Sequence, residues 1–190
     1  MAELETLKFK SEKNWQLWLE DNHSQEEGIW LTFAKKNSGE TTVNYGEAVE
    51  VALCYGWIDS QVKAFDEKFY LQKFSPRRAR SVWSKINRDT VEKLIVEGKM
   101  KPSGMAQVEA AKADGRWDAA YEGQSTAELP NDFKEALAKN KKAADFYGTL
   151  NKTSKYSIIW RLQHTKSKVA RDRNIKKFVQ MLENNQKIQS

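Results

Sequence analysis

The chain has 190 residues, of which 39% are hydrophobic and 31% charged, with a formal net charge of +6. This apolar content can bury a core that offsets chain entropy, which excludes global disorder. The single cysteine, Cys54, excludes an internal disulfide, and with two histidines no closed zinc set of cysteine and histidine can be assembled, so we expect no metal site.

The first third of the chain predicts two helices flanking a strand. A helix begins at the N-cap candidate Ser11 and ends near Asn22. The β-rich run at residues 29–33 predicts a strand. A second helix, with an apolar face, begins at Asn44 and stops at Gly56. We expect that second helix to be buried.

The next part predicts a hairpin followed by further helices. Two β-like runs, residues 57–65 and 69–74, are separated by three residues, which suits a hairpin. One or two helices follow within residues 82–97, then a Pro-Ser-Gly loop at 102–104 and an alanine-rich helix at 105–114. The resulting fold class is α+β, with a small, mostly antiparallel sheet and flanking helices.

The last third predicts an all-helical subdomain. Residues 122–130 are polar and contain Gly, Ser, Thr and Pro, which is typical of a linker. The apolar pattern after it is helical throughout and predicts three or four helices. We therefore expect an α+β domain at residues 1–121, a linker at 122–130 and a helical C-terminal subdomain at 131–190.

Charge is distributed unevenly along the chain. Residues 68–88 contain seven basic side chains and no acidic one, whereas residues 1–67 contain six basic and thirteen acidic ones. Residues 152–190 contain ten basic and two acidic side chains. The acid-free segment at 68–88 is the most unusual local feature, because a uniform excess of lysine would indicate only a well-solvated surface.

This basic segment predicts an anion-binding site. Arginine binds phosphate or carboxylate oxygens in bidentate fashion, and a helix capped by Ser81 or Ser84 would add free N–H groups beside the arginines. The alternative is that the arginines pair with the acidic first third of the chain. The candidate ligand-binding residues are Trp57, Asp59, Arg77, Arg78, Arg80, Trp83, Ser84, Lys85, Asn87 and Arg88.

Asp59 is the only candidate for a catalytic residue. A carboxylate on an aromatic, half-buried strand needs a hydrogen bond or a paired charge, and an arginine from residues 77–80 is a candidate partner. Structural pairing is the alternative to a role as acid or base.

Cys54 has apolar neighbours and is expected to be an inert, buried thiol. Familiar catalytic and phosphate-loop motifs are absent from the sequence, and we expect no cofactor.

Three partner classes follow from these patterns. A small anionic ligand or an acidic protein surface suits the arginine segment. Nucleic acid is a further possibility, because Phe74 and Trp83 lie beside clustered basic residues and a basic C-terminal helix could extend the surface.

The N-terminus carries acids where a secretory signal carries basic residues, and the longest near-apolar stretch, residues 48–58, is too short to span a bilayer. We therefore expect a cytoplasmic protein without a transmembrane segment.

Several strings in the chain resemble a bacterial family. They are residues 52–60 (ALCYGWIDS), 74–77 (FSPR) and 81–87 (SVWSKIN), continued at 98–104 and 110–117. Together with the helical region from Leu129, they are similar to the YdeI/OmpD-associated proteins. That resemblance implies bacteriocin protection, resistance to cationic antimicrobial peptides and an envelope association, and it supplies no catalytic residues.

The functional expectation is a non-enzymatic stress or resistance-associated protein that binds an anionic ligand or partner through the basic segment. The first alternative is an enzyme for a small phosphorylated or carboxylated substrate, with Asp59 as acid or base and the arginines as charge clamps. The second alternative is a nucleic-acid-binding protein.

Overall fold

The computed structural model describes residues 4–24, 27–124, 126–165 and 167–187. The chain divides into two compact units, Met1–Ala120 and Tyr121–Ser190. The first unit is mixed α+β and the helices of the second follow it in the chain, which confirms the predicted fold class.

The first unit contains a four-stranded sheet. Its strands are β1 (Thr6–Leu7), β2 (Ile29–Ala34), β3 (Trp57–Ala64) and β4 (Phe69–Pro76), in the spatial order β1-β2-β4-β3. Strand β1 is parallel to β2, whereas β2 with β4 and β3 with β4 are antiparallel. The predicted hairpin is confirmed as β3 and β4. The two-residue strand β1 was missed because it is too short to show alternation.

Four helices accompany this sheet: α1 (Glu12–Asn22), α2 (Tyr45–Cys54), α3 (Lys85–Val96) and α4 (Pro102–Ala113). The side chains of Ser11, Asn44 and Ser84 each accept a backbone N–H of the first turn of α1, α2 and α3. The predicted loop at residues 102–104 is wrong. Those residues form the first turn of α4, where proline is tolerated because its missing N–H would have no helical partner.

Helix α4 packs closely against the C-terminal end of α2. The Lys101 backbone N–H donates to the Cys54 carbonyl oxygen at 3.0 Å. A Cβ atom at Gly104 would lie 2.2 Å from the same oxygen, so only glycine fits there. This contact positions the α3–α4 connection beside α2.

Buried tryptophans organise the core between the sheet and the helices. The Trp15 indole N–H donates to the Ala48 carbonyl at 3.1 Å, and the Trp57 indole N–H donates to the His23 carbonyl at 3.0 Å. The Trp15 ring packs edge-on against Phe74 of β4, with centroids 5.8 Å apart. Indole rings fix these neighbours through large buried areas and one directional hydrogen bond each.

The described part of the second unit is helical: α5 (Asn131–Ala138), α6 (Lys141–Thr149), α7 (Lys152–Gln163) and α8 (Lys168–Glu183). Its core is built around Phe133, Ile158 and Leu162. Arg171 makes a bidentate ion pair with Asp132, which joins α8 to the start of α5 and lowers the pKa of that carboxyl. The hydroxyl of Tyr156 in α7 donates at 3.1 Å to the carbonyl of Glu122, which precedes α5 in the chain.

Across the described ranges, none of the helices combines the length and the apolar character needed to cross a bilayer.

Candidate functional site

The centre of the basic segment is a loop between β4 and α3, and its first arginine points inward. Arg77 is only 6% exposed. Its guanidinium lies 3.7 Å from the Trp83 ring centroid and donates to the Val82 carbonyl at 2.8 Å. Its backbone N–H donates to the Gly56 carbonyl at 2.9 Å. Arg77 therefore holds the two ends of the loop together from its buried side.

A second arginine, from beyond α4, holds the same loop. Arg116 donates through Nη1 to the Ser81 carbonyl at 2.8 Å, and its Nε pairs with Asp114 at 2.7 Å. Beside it, the Trp83 and Trp117 rings pack edge-on with centroids 4.9 Å apart. The sequence argument missed Arg116, although it lies in one of the strings that carry the family resemblance.

Between these supports, residues 78–81 form a closed turn. The Ser81 N–H donates to the Arg78 carbonyl and the Arg78 N–H donates to Ser81 Oγ, both at 2.9 Å. The side chains of Arg78 and Arg80 are exposed. No carboxylate of the described residues forms an ion pair with either guanidinium. We call residues 78–81 the basic turn.

The other predicted residues of the segment differ in their surroundings. Ser84 caps α3 and accepts the Asn87 N–H at 3.2 Å, so both residues serve the helix end. Arg88 pairs with Asp89 at 3.3 Å and approaches Glu92 at 4.0 Å. Arg88 therefore pairs with acidic residues of its own helix, and not with the acidic first third of the chain that the sequence suggested. Lys85 begins α3 and is half-buried.

Three of the predicted ligand contacts are buried side chains. Trp57 and Trp83 are 1% and 2% exposed, and Arg77 lies beneath the loop. Each is fixed by contacts within the first unit: Trp57 by the His23 carbonyl, and Arg77 and Trp83 by each other. The contacts of Arg77 and Trp83 support the loop, and direct contact between a ligand and any of the three stays a prediction.

Asp59 also has partners other than those predicted. Its carboxylate accepts the Tyr45 hydroxyl at 2.7 Å and the Gln72 side-chain amide at 3.3 Å. The predicted pairing with an arginine of residues 77–80 is wrong. Partial burial, followed by the bond to Asp59, raises the pKa of Tyr45, so this tyrosine remains a donor across the physiological range. A role for Asp59 as acid or base stays a prediction.

Two family models each match a part of the chain. Residues 7–107, more than half of the sequence, match the model of a family described as a domain of unknown function (DUF8412). The chain belongs to the DUF8412 family. Residues 126–185 match the model described as "Bacteriocin-protection, YdeI or OmpD-Associated", which confirms the resemblance recognised in the sequence. No curated protein and no solved structure matches the chain.

The two matches bear on function differently, because only the description of the C-terminal match mentions a function. The description of the C-terminal match suggests a bacteriocin-protection-related function. The basic turn and the strings at 52–60 and 74–87 lie in the DUF8412 region, whose description assigns no activity. No site residue comes from either match, so the site rests on the geometry of this chain.

The DUF8412 region also contains the single cysteine. Cys54 ends α2 and is 7% exposed. Burial raises the pKa of its thiol to about 11. The thiolate is the reactive form of cysteine, so this environment disfavours nucleophilic chemistry at neutral pH. Among the described residues, no three or more His, Cys, Asp or Glu side chains form a group that could hold a metal ion.

We expect Cys54 to resist alkylation in the folded protein. With a pKa of about 11, the thiolate population at pH 8 falls about 200-fold below that of a free cysteine with pKa about 8.5, and burial slows access further. Iodoacetamide labelling followed by mass spectrometry should show modification at least about 100-fold slower than in urea. Equal labelling rates in buffer and urea would contradict the buried, neutral thiol.

The same pKa predicts a loss of stability at alkaline pH. The unfolded thiol ionises near pH 8.5, whereas the folded one remains protonated until about pH 11. The unfolded state therefore binds fewer protons between these values, and the free energy of unfolding contributed by Cys54 falls as pH rises through that window. Cys54→Ser, whose hydroxyl does not ionise there, should flatten this part of the stability profile.

Proposed function

We propose that the protein is a non-enzymatic binding protein with a bacteriocin-protection-related role, and that it engages a phosphate- or carboxylate-bearing partner through Arg78 and Arg80. The single observation that carries this proposal is the basic turn, with two exposed guanidinium groups that no described carboxylate neutralises. Charged side chains on protein surfaces usually have solvent or intramolecular partners, and a supported pair of arginines is suited to binding an anion.

The supports beneath the turn favour binding because they reduce its entropic cost. Arg77 and Arg116 each donate to a carbonyl inside the loop, and Trp83 packs below it. The turn is further closed by the two hydrogen bonds between Arg78 and Ser81. A loop whose backbone is already ordered loses less conformational freedom on binding, so more of the electrostatic attraction contributes to affinity.

The surrounding charge favours an anionic partner over a neutral one. Residues 68–88 contain seven basic side chains and no acidic one, and the potential of such a segment attracts anions during association. Arg88 is already engaged with Asp89 and approaches Glu92, so the attraction is centred on the turn. Because both exposed groups are guanidiniums, the partner's acidic oxygens can be bound in pairs.

The double variant Arg78→Ala/Arg80→Ala is expected to bind anions about tenfold more weakly than the parent. Two charge-assisted contacts of about 0.7 kcal/mol each give a factor of about ten. The measurement is fluorescence anisotropy with two labelled probes, an inorganic polyphosphate and an oligoglutamate peptide. Weaker binding of both probes supports recognition of acidic oxygens in general. Weaker binding of only one probe identifies phosphate or carboxylate as the preferred group.

The matched control is Lys10→Ala/Lys36→Ala, which removes the same charge from two exposed lysines of the first unit. We expect its affinities to stay within about twofold of the parent, because long-range effects of exposed charges are screened by salt. Equal losses in the two double variants would contradict a localised site. Tighter binding to a labelled oligonucleotide, with affinity falling steeply with salt, would instead support the nucleic-acid alternative.

A further inference from the structure

The first unit contains a cavity that is separate from the basic turn. It has a volume of about 180 Å³ and opens between α1, α2 and the α3–α4 connection. Val51, Cys54 and Leu94 form an apolar floor, and each is almost fully buried. Sites for drug-sized ligands measure about 300–1,000 Å³, so this cavity accommodates a smaller molecule.

A buried tyrosine forms part of the cavity wall. Tyr55 is 4% exposed and lines the cavity, with its hydroxyl shielded from solvent. The hydroxyl lies beside the Gln16 side chain, but no atom of the described chain completes a hydrogen bond to it with acceptable geometry. Buried hydroxyls are nearly always hydrogen-bonded, because leaving one unsatisfied costs free energy. Because this hydroxyl has almost no accessible surface, a molecule in the cavity would meet the Tyr55 ring and not the hydroxyl.

Charges of both signs surround the same opening. Glu12 and Glu50 come from α1 and α2, whereas Lys99 and Lys101 come from the α3–α4 connection. Within the described ranges, no ion pair joins these glutamates to these lysines, and Lys99 pairs instead with Glu97 at 2.8 Å. Lys101 Nζ lies 5.8 Å from the centroid of the Tyr55 ring.

We propose that this cavity binds a small zwitterion of amino-acid size. The ligand carboxylate is directed to Lys101, and the ligand ammonium to Glu12 and Glu50. A short aliphatic side chain occupies the floor at Val51 and Leu94. A ligand with only one charge would pair with either the lysine or the glutamates and leave the other charge uncompensated. The ligand is therefore expected to carry both charges.

The test compares three probes of similar size with the full-length protein. They are L-valine, isobutylamine, which lacks the carboxylate, and isovalerate, which lacks the ammonium. Titration calorimetry and saturation-transfer NMR should show L-valine binding at least tenfold more tightly than either single-charge probe. Failure of L-valine to bind at tens of millimolar, or equal binding of one single-charge probe, would overturn the proposal.

Two variants tie the binding to the proposed poles. Glu50→Gln removes the charge of one proposed ammonium partner and should weaken L-valine binding about fivefold without lowering the melting temperature. Lys101→Gln should weaken it by about tenfold, whereas the control Lys36→Gln, on an exposed turn, should leave it unchanged. Binding that is unaffected by both Glu50→Gln and Lys101→Gln would place the ligand elsewhere and refute this assignment. The Arg78→Ala/Arg80→Ala variant should bind L-valine normally, which separates this site from the basic turn.

Discussion

Replacing Gly104 with alanine is expected to destabilise the first unit by about 3–5 kcal/mol. The new Cβ atom would lie 2.2 Å from the Cys54 carbonyl oxygen and 2.9 Å from that of Leu53. Helix α4 would have to move away from α2, and overpacking of this kind costs about 1–3 kcal/mol. The shift would also strain the bond from the Lys101 N–H to the Cys54 carbonyl, and a buried carbonyl left unsatisfied costs about 1–3 kcal/mol.

Thermal and urea denaturation followed by circular dichroism measure this effect. The melting temperature of the first unit should fall by about 10 °C or more. The control is Gly148→Ala in α6, where no atom lies within 4 Å of the added methyl group. Alanine is the better helix former, so that variant should be neutral or stabilised by up to about 1 kcal/mol. An unchanged melting temperature for Gly104→Ala would contradict the close packing of α4 on α2.

Replacing Trp83 with alanine is expected to cost about 3–5 kcal/mol and to weaken anion binding at the basic turn. Trp83 is 2% exposed, and its removal leaves a large cavity beside Trp117. It also removes the ring on which the Arg77 guanidinium lies, a contact that contributes about 2 kcal/mol when it is desolvated. The turn above would lose its support, so Arg78 and Arg80 would bind from a more mobile loop.

Urea denaturation and the anisotropy assay together test this expectation. The matched control is Trp160→Ala in α7, because Trp160 is 39% exposed and should cost about 1 kcal/mol or less. Trp83→Phe retains an aromatic face and should recover about half of the lost stability. If Trp83→Ala left stability intact but abolished anion binding, Trp83 would be a ligand contact, as the sequence suggested, and the supporting role would be wrong.

Features that depend on neighbours along the chain were predictable. Ser11 and Asn44 begin helices in the structure as they do in the sequence argument, because a capping side chain satisfies N–H groups only three residues away. The β3–β4 hairpin followed from two β-rich runs separated by a short turn. The first turn of α4 was mistaken for a loop because Pro102 and Gly104 are helix breakers elsewhere, and the packing against Cys54 that requires the glycine is not local.

The candidate site, too, was predictable only where it depends on residues close together in the chain. Charge counting located the segment that carries Arg78 and Arg80, since an acid-free run of basic residues is visible without coordinates. It could not show that Arg77 turns inward onto Trp83, or that Arg116, 35 residues after Ser81, holds the turn. The partners of Asp59 were missed for the same reason, because Tyr45 comes from the start of α2.

The sequence by itself determined the α+β class, the helix caps, the hairpin, the family resemblance and the position of the basic segment. Each of these depends on composition or on contacts between residues close in the chain. Only the tertiary structure decided which arginines are buried, which carboxylates are already engaged and where a cavity opens. Those properties depend on packing between elements far apart in sequence, where the burial of a charged group requires a partner that local patterns do not specify.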